Sequence, residues 1–181
     1  MQNATLEKAF NEQINYEMFS AYMYMSMSAH LTNIGLKGMA RWLMVQYHEE
    51  MFHAMKMYEF VQKRAGVVNL EKIIGPQHTW KSPLDVFESV YKHELGVTKR
   101  INALMDLAIA EKDHASQIFI QWFVTEQLEE EQNDCDIITH LKLIGSDTSA
   151  LLSFDKELGA RALTVPTDFS SGVEAAAGAV A

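Results

Sequence analysis

The stretch Glu49-Glu50-Met51-Phe52-His53 sets a carboxylate and an imidazole, Glu50 and His53, three residues apart in a segment whose apolar spacing is helical. Residues at i and i+3 share one face of a helix. Extending that face both ways gives Leu43, Gln46, Glu50, His53, Met57 and Phe60, the alternating three-and-four step of a stripe that looks into a core. A buried ionised carboxylate costs several kcal/mol unless something compensates it. With a neutral imidazole nitrogen beside it, a divalent cation is a fitting compensation. On this spacing alone two readings stand, a metal site or a hydrogen-bonded Glu/His pair at a partly wet boundary.

Four long helices must position any such site. The first spans about residues 5–33, with Leu6, Phe10, Ile14, Ala21, Met25 and Leu31 on its apolar stripe and Glu17 and Tyr24 in register with them. Asn3 or Thr5 can cap it, and Asn33-Ile34-Gly35 ends it. The short link that follows predicts an antiparallel hairpin with a second helix over about 36–65, stopped at Gly66. Residues 66–82 carry Gly75-Pro76 and Ser82-Pro83 and no helical period, so they read as a long connection. Extended at roughly 3.3 Å per residue it reaches about 55 Å, more than the about 43 Å of a helix of about 29 residues. The third helix can therefore start at the far end, which predicts up-down-down-up connectivity.

That third helix opens with Ser82 as cap and Pro83 at its first position, and its stripe runs Phe87, Val90, Glu94, Val97, Ile101, Leu104 and Ala108. After a turn at Lys112-Asp113-His114, a fourth helix over about 115–143 points Ile120, Phe123, Gln127, Glu130, Asp134, Ile137 and Leu141 inward. Gly145 breaks it, and Asp147 or Thr148 caps a short fifth helix ending near Gly159. Leu151, Phe154 and Leu158 on that helix need a surface beyond the four-helix bundle. Residues 1–163 thus read as one all-α domain, a four-helix bundle with a long crossover loop and a short fifth C-terminal helix. Residues 164–181 read as a mobile Ala/Gly-rich tail.

Composition narrows the function. A net charge of -9 argues against the basic face that phosphate binding needs, so no nucleic-acid partner is expected, and an acidic surface draws cations instead. A single cysteine, Cys135, excludes an internal disulfide framework and fits a reducing compartment. There is neither a secretory signal pattern nor an apolar run of membrane-spanning length, so the expectation is a cytoplasmic protein without a membrane partner.

Glu17, Glu50, Glu94 and Gln127 each lie within a few residues of the midpoint of their helix, a spread of about 5 Å along the axis. Midpoints coincide whichever way a helix runs. Three carboxylates and one imidazole are therefore expected to meet in one layer, where like charges raise one another's pKa unless a cation binds. Oxygen-rich donors with one imidazole suit iron or manganese better than a metal that demands thiolate.

From about residue 5 to 160 the chain resembles the ferritins, most closely the bacterial non-haem ferritins, through Glu17, Glu50-Met51-Phe52-His53, Tyr24, Lys92-His93-Glu94 and Glu126-Gln127-Leu128-Glu129-Glu130. One departure from the wider di-iron pattern is that Gln127 and Glu130 stand where a second Glu-x-x-His would offer Glu and His. The resemblance implies a ferritin-like bundle whose di-iron centre has Glu17, Glu50 and His53 around one iron, and Glu50, Glu94 and Gln127 around the other. It also implies a third iron position at Glu49, Glu126, Glu129 and Glu130, with Tyr24 beside the centre. Glu131, on the other flank, is expected to be solvated.

As a function the resemblance implies ferroxidase activity: Fe(II) and dioxygen are the substrates, and Fe(III) mineral is stored inside a homo-oligomeric 24-mer cage. The fifth helix would pack around the four-fold axes. Two alternatives stand beside it. A haem-containing bacterioferritin would use Met51 as a haem ligand, and a non-catalytic structural bundle would merely hydrate its acids. Trp122 and the methionines read as packing.

Overall fold

A computed structural model of the protein describes residue 1 and residues 3–173. Five helices and no strand occur among the described residues: α1 (Ala4–Asn33), α2 (Lys37–Lys63), α3 (Pro83–Ala110), α4 (His114–Ile144) and α5 (Thr148–Leu158). None is long and apolar enough to cross a membrane. Residues 10–79 and 148–173 form one compact unit, and residues 3–9 and 80–147 form another.

In the first unit α1 turns into α2 through a cap that the sequence announces. Gly35 takes φ +91°, and the Leu36 N–H reaches back to the Leu31 carbonyl at 3.0 Å, the bond that closes a helix on a left-handed residue. Ser28 Oγ donates to the Ala40 carbonyl at 2.8 Å near that turn, and the Phe10 and Phe60 rings meet at 5.2 Å far from it. The two helices are therefore antiparallel. Met25, expected on the apolar stripe, is instead 39% exposed, while Tyr24, Met27 and Leu31 are buried. Stepping by three and four from Ala21 reaches Tyr24 and Ser28, so Met25 falls one position off the face. α2 ends at Lys63, two residues short of the expected 65, and Ala65 rather than Gly66 takes the left-handed conformation (φ 53°).

The connection after α2 has no ladder of its own, and α1 supplies one. Asn11 donates to the Val67 carbonyl at 2.9 Å and accepts from the Asn69 N–H at 2.7 Å. One turn on, Asn15 donates to the Asn69 carbonyl at 3.1 Å and accepts from the Glu71 N–H at 2.8 Å, and further along Ser26 donates to the Gln77 carbonyl at 2.7 Å. Each side-chain amide satisfies backbone groups that an extended segment would otherwise leave to water. The loop thus follows α1 in its own direction for about 22 Å, returning the chain toward the end where α2 began.

α2 lacks a capping side chain of its own: its N-cap residue is Leu36. The missing acceptor comes from α5, where the Asp155 carboxylate takes the N–H groups of Gly38 at 3.0 Å and Met39 at 2.8 Å. An anion at a helix N-terminus also opposes the helix dipole favourably. The close approach is permitted by glycines, since a Cβ on Gly159 would lie 2.9 Å from the Gly38 Cα. A Cβ on Gly38 would fall inside the Asp155 carbonyl group. Phe154, expected to need a surface beyond the bundle, is 7% exposed within this chain. Leu152, on the other side of α5, is 56% exposed.

Gly38→Ala is therefore expected to expel α5 and cost at least about 3 kcal/mol, the upper end for overpacking, read from urea denaturation. Asp155→Ala, which removes only the cap, should cost about 1–2 kcal/mol. A smaller loss for Gly38→Ala than for Asp155→Ala would contradict this packing. Beyond α5, Val173 is buried and its N–H donates to Glu59 Oε1 at 2.5 Å. Of the segment 164–181 read as a tail, residues 174–181 lie outside the described residues.

In the second unit Asn3 accepts the Leu6 N–H at 2.9 Å, making it rather than Thr5 the cap of α1. Ser82 accepts the Asp85 N–H at 3.1 Å, and Asp85 accepts the Lys81 N–H at 2.8 Å, so α3 starts where Ser-Pro predicts. α4 is capped by Asp113, whose carboxylate accepts the Ser116 N–H at 3.0 Å. Gln117 bonds the Ala108 carbonyl at 3.1 Å near the turn, and Lys142 pairs with Glu88 at 3.0 Å away from it, which fixes α3 and α4 as an antiparallel pair.

Candidate metal centre

The i,i+3 spacing on α2 and the antiparallel pairing of α1 with α2 bring three of the predicted residues together. Glu17 on α1 and Glu50 and His53 on α2 are 0%, 1% and 3% exposed, and one ligand atom from each lies within 4.8 Å of the others. Two carboxylate charges that close repel by about 3.5 kcal/mol at an effective dielectric of 20. A divalent cation among them turns that repulsion into attraction.

His53 is suited to such a role. Burial, and then the nearby Lys56 charge, lowers its pKa from 6.5 to about 3, so at neutral pH the ring is uncharged and offers a lone pair. Its Nδ1 stands 3.7 Å from Glu50 Oε2, too far for a hydrogen bond and, with a neutral ring, not an ion pair. Glu17 is oriented by Gln13, one turn earlier on α1, which donates to Glu17 Oε1 at 2.8 Å. Sequence reasoning passed over Gln13, although a buried amide four residues from an inward acid is the pattern of a carboxylate support.

On α3 and α4 the predicted residues form a second set. Glu94 and Gln127 are both buried, and Gln127 Nε2 donates to Glu94 Oε2 at 3.1 Å. Gln127 also lies 3.3 Å from Thr98 Oγ1, which in turn donates to Glu131 Oε1 at 2.6 Å. Glu131 is therefore half-buried and hydrogen-bonded, not the solvated flank expected from the charge run. As placed, Gln127 steadies Glu94 through its amide nitrogen, and its oxygen is the atom it would turn toward a cation. His93, next to Glu94, is held to a pKa of about 4 by burial.

The remaining predicted residues differ in burial. Tyr24 is fully buried on α1, two turns from Glu17. Glu130 is buried, Glu126 half-buried and Glu129 exposed. Glu49 is 8% exposed and is bound by a residue that sequence reasoning missed, Arg161, at 2.7 Å. Trp122 packs edge-on against Phe123 at 4.8 Å, as expected of a packing residue.

A buried Glu/Glu/His set carried on long antiparallel helices is a group that could hold a metal ion. A family model described as a ferritin-like domain matches residues 7–144. The chain is 42% identical over 156 residues to a bacterial non-heme ferritin of Bacteroides fragilis, covering 86% of this chain and 97% of that one. It is 35% identical over 161 residues to a bacterial non-heme ferritin of Staphylococcus aureus, covering 89% and 97%. Among solved structures, a novel open pore ferritin from the hyperthermophilic archaeon Archaeoglobus fulgidus superposes with a TM-score of 0.89 at 49% identity, over 90% of this chain and 100% of that one. The chain belongs to the ferritin family, and its fold is the all-α ferritin-like bundle with a short C-terminal helix.

Proposed function

We propose that the protein is a cytoplasmic iron-storage ferritin with ferroxidase activity, oxidising Fe(II) with dioxygen at a di-iron centre within the subunit and holding the Fe(III) mineral inside a 24-mer cage. The observation that carries this reading is the convergence of Glu17, Glu50 and His53 within 4.8 Å in a buried setting. Three donors leave coordination positions open to a second substrate.

Each residue has a part to play. Glu17 and His53 would hold one iron, steadied by Gln13 and by the neutral state of the imidazole. Glu50 would hold iron with them, and, as the family resemblance implies, Glu94 and Gln127 would serve a second iron, Gln127 by turning its oxygen inward. Tyr24 would stand beside the centre as a hydrogen-bond donor. The acidic surface, at a net charge of -9, would draw ferrous ions toward the cage.

The test is aerobic addition of Fe(II) to the metal-free protein, followed by an oxygen electrode and by absorbance in the near ultraviolet. Rapid dioxygen consumption and a soluble yellow product inside an assembly of cage size are expected. A slow reaction matching that of buffer alone would favour the structural bundle. The relatives named above are non-heme ferritins, which favours this reading over the haem-containing alternative, and a Soret band in the purified protein would reverse that preference.

A further inference from the structure

We propose that Arg161 is a built-in counter-cation that keeps Glu49 from binding metal, so that the C-terminal segment sets how many cations this chain takes up beside its buried cluster. The inference rests on the reading of Glu17, Glu50 and His53 as a cation site and adds to it.

Three contacts fix the Arg161 side chain. Its Nη2 donates to Glu49 Oε2 at 2.7 Å, its Nη1 donates to Gln46 Oε1, and its guanidinium lies 4.5 Å from the centre of the Trp42 ring. Gln46, Glu49 and Trp42 are all buried on α2, and Arg161 follows the end of α5. A guanidinium stays charged at any working pH and matches flat acceptor and aromatic surfaces at once. The arrangement is therefore a seated cation.

Its place matters because Glu49 is no remote acid. It precedes Glu50 and stands four residues before His53, on one side of the same helix turn. A buried carboxylate there calls for a positive charge. Arg161 supplies that charge from within the protein. A divalent ion competing for Glu49 has to displace a charge-assisted hydrogen bond and approach a fixed positive group. The resemblance to bacterial ferritins implied a third iron position that includes Glu49. In this chain Glu49 is already neutralised, and the metal count would be that of the cluster without it.

Anaerobic Co(II) titration of the assembled, metal-free protein tests this. Arg161→Gln is expected to add a binding step absent from the wild type, about ten-fold or more tighter than non-specific Co(II) binding. Adding Glu49→Gln to that variant should remove the step, and Arg161→Lys, which keeps a cation, should preserve the wild-type count. An unchanged count in Arg161→Gln would overturn the proposal, as would loss of a step on making Glu49→Gln in the wild-type background. Should Arg161→Gln fail to assemble, wild-type crystals soaked in Co(II) decide the matter: anomalous density bonded to Glu49 refutes the idea, and density confined to the Glu50 cluster supports it. Glu50→Ala in the same titration checks the parent reading separately, since retention of every step there would remove the cluster's assignment while leaving the Arg161 comparison intact.

Discussion

Glu50→Ala is expected to slow ferrous oxidation at least about 100-fold, more than is usual for loss of a residue that merely supports a metal ligand. Glu50 is one of the three donors of the converged cluster, so its removal leaves Glu17 and His53 as a two-donor remnant. The stability of the metal-free protein should move the other way. A buried carboxylate close to another is a cost carried for function, and Glu50→Gln, which keeps volume and polarity, should raise the unfolding free energy by about 1 kcal/mol or more. Oxygen uptake together with urea denaturation under chelating conditions reads both quantities. A Glu50→Gln variant that oxidises iron at the parental rate and is less stable would show that Glu50 serves the fold and not the chemistry.

Acid should destabilise the metal-free protein well above the pH at which its carboxylates ordinarily titrate. Burial lowers His53 from 6.5 to about 3 and His93 from 6.5 to about 4. Above pH 6.5 neither folded nor unfolded chain protonates these rings, and their contribution to stability is fully present. As the pH falls below 6.5 the unfolded chain takes up protons that the folded chain refuses, so stability is lost progressively down to the folded values. Two pH units below 6.5 amount to about 3 kcal/mol for His53 alone, at 1.36 kcal/mol per unit. Denaturation of the wild type at pH 7 and pH 4.5 should show this fall, and His53→Asn should lessen it by about that amount. A parallel fall in the variant would place the acid sensitivity elsewhere.

The parts of this structure that the sequence discloses are those written over a few residues. Asn3, Ser82 and Gly35 mark helix ends because a cap bonds within one turn, and the stripes through Glu50, Glu94 and Gln127 follow from a period of 3.6. Other features were hidden by distance along the chain. Nothing near Leu36 reveals that α2 is capped from α5, and nothing near Val67 reveals that Asn11 and Asn15 receive the loop backbone. Ala65 was missed for another reason: glycine is the usual left-handed residue, so Gly66 drew the boundary. At the candidate centre, residue types and helical register made Glu17, Glu50 and His53 visible. The amide orientation of Gln127, the Thr98 link to Glu131 and the Arg161 contact depend on side-chain geometry that no spacing encodes.

The Asp155 cap has a consequence for the order of biosynthesis. Ribosomes make a chain from its amino end, and the residues of α2 are complete long before Asp155 exists. Until that carboxylate arrives, the Gly38 and Met39 amides have only water to bond, and the first turn of the helix that carries Glu50 and His53 is left to unravel and reform. The ligand-bearing helix would thus be sealed only once α5 has been made.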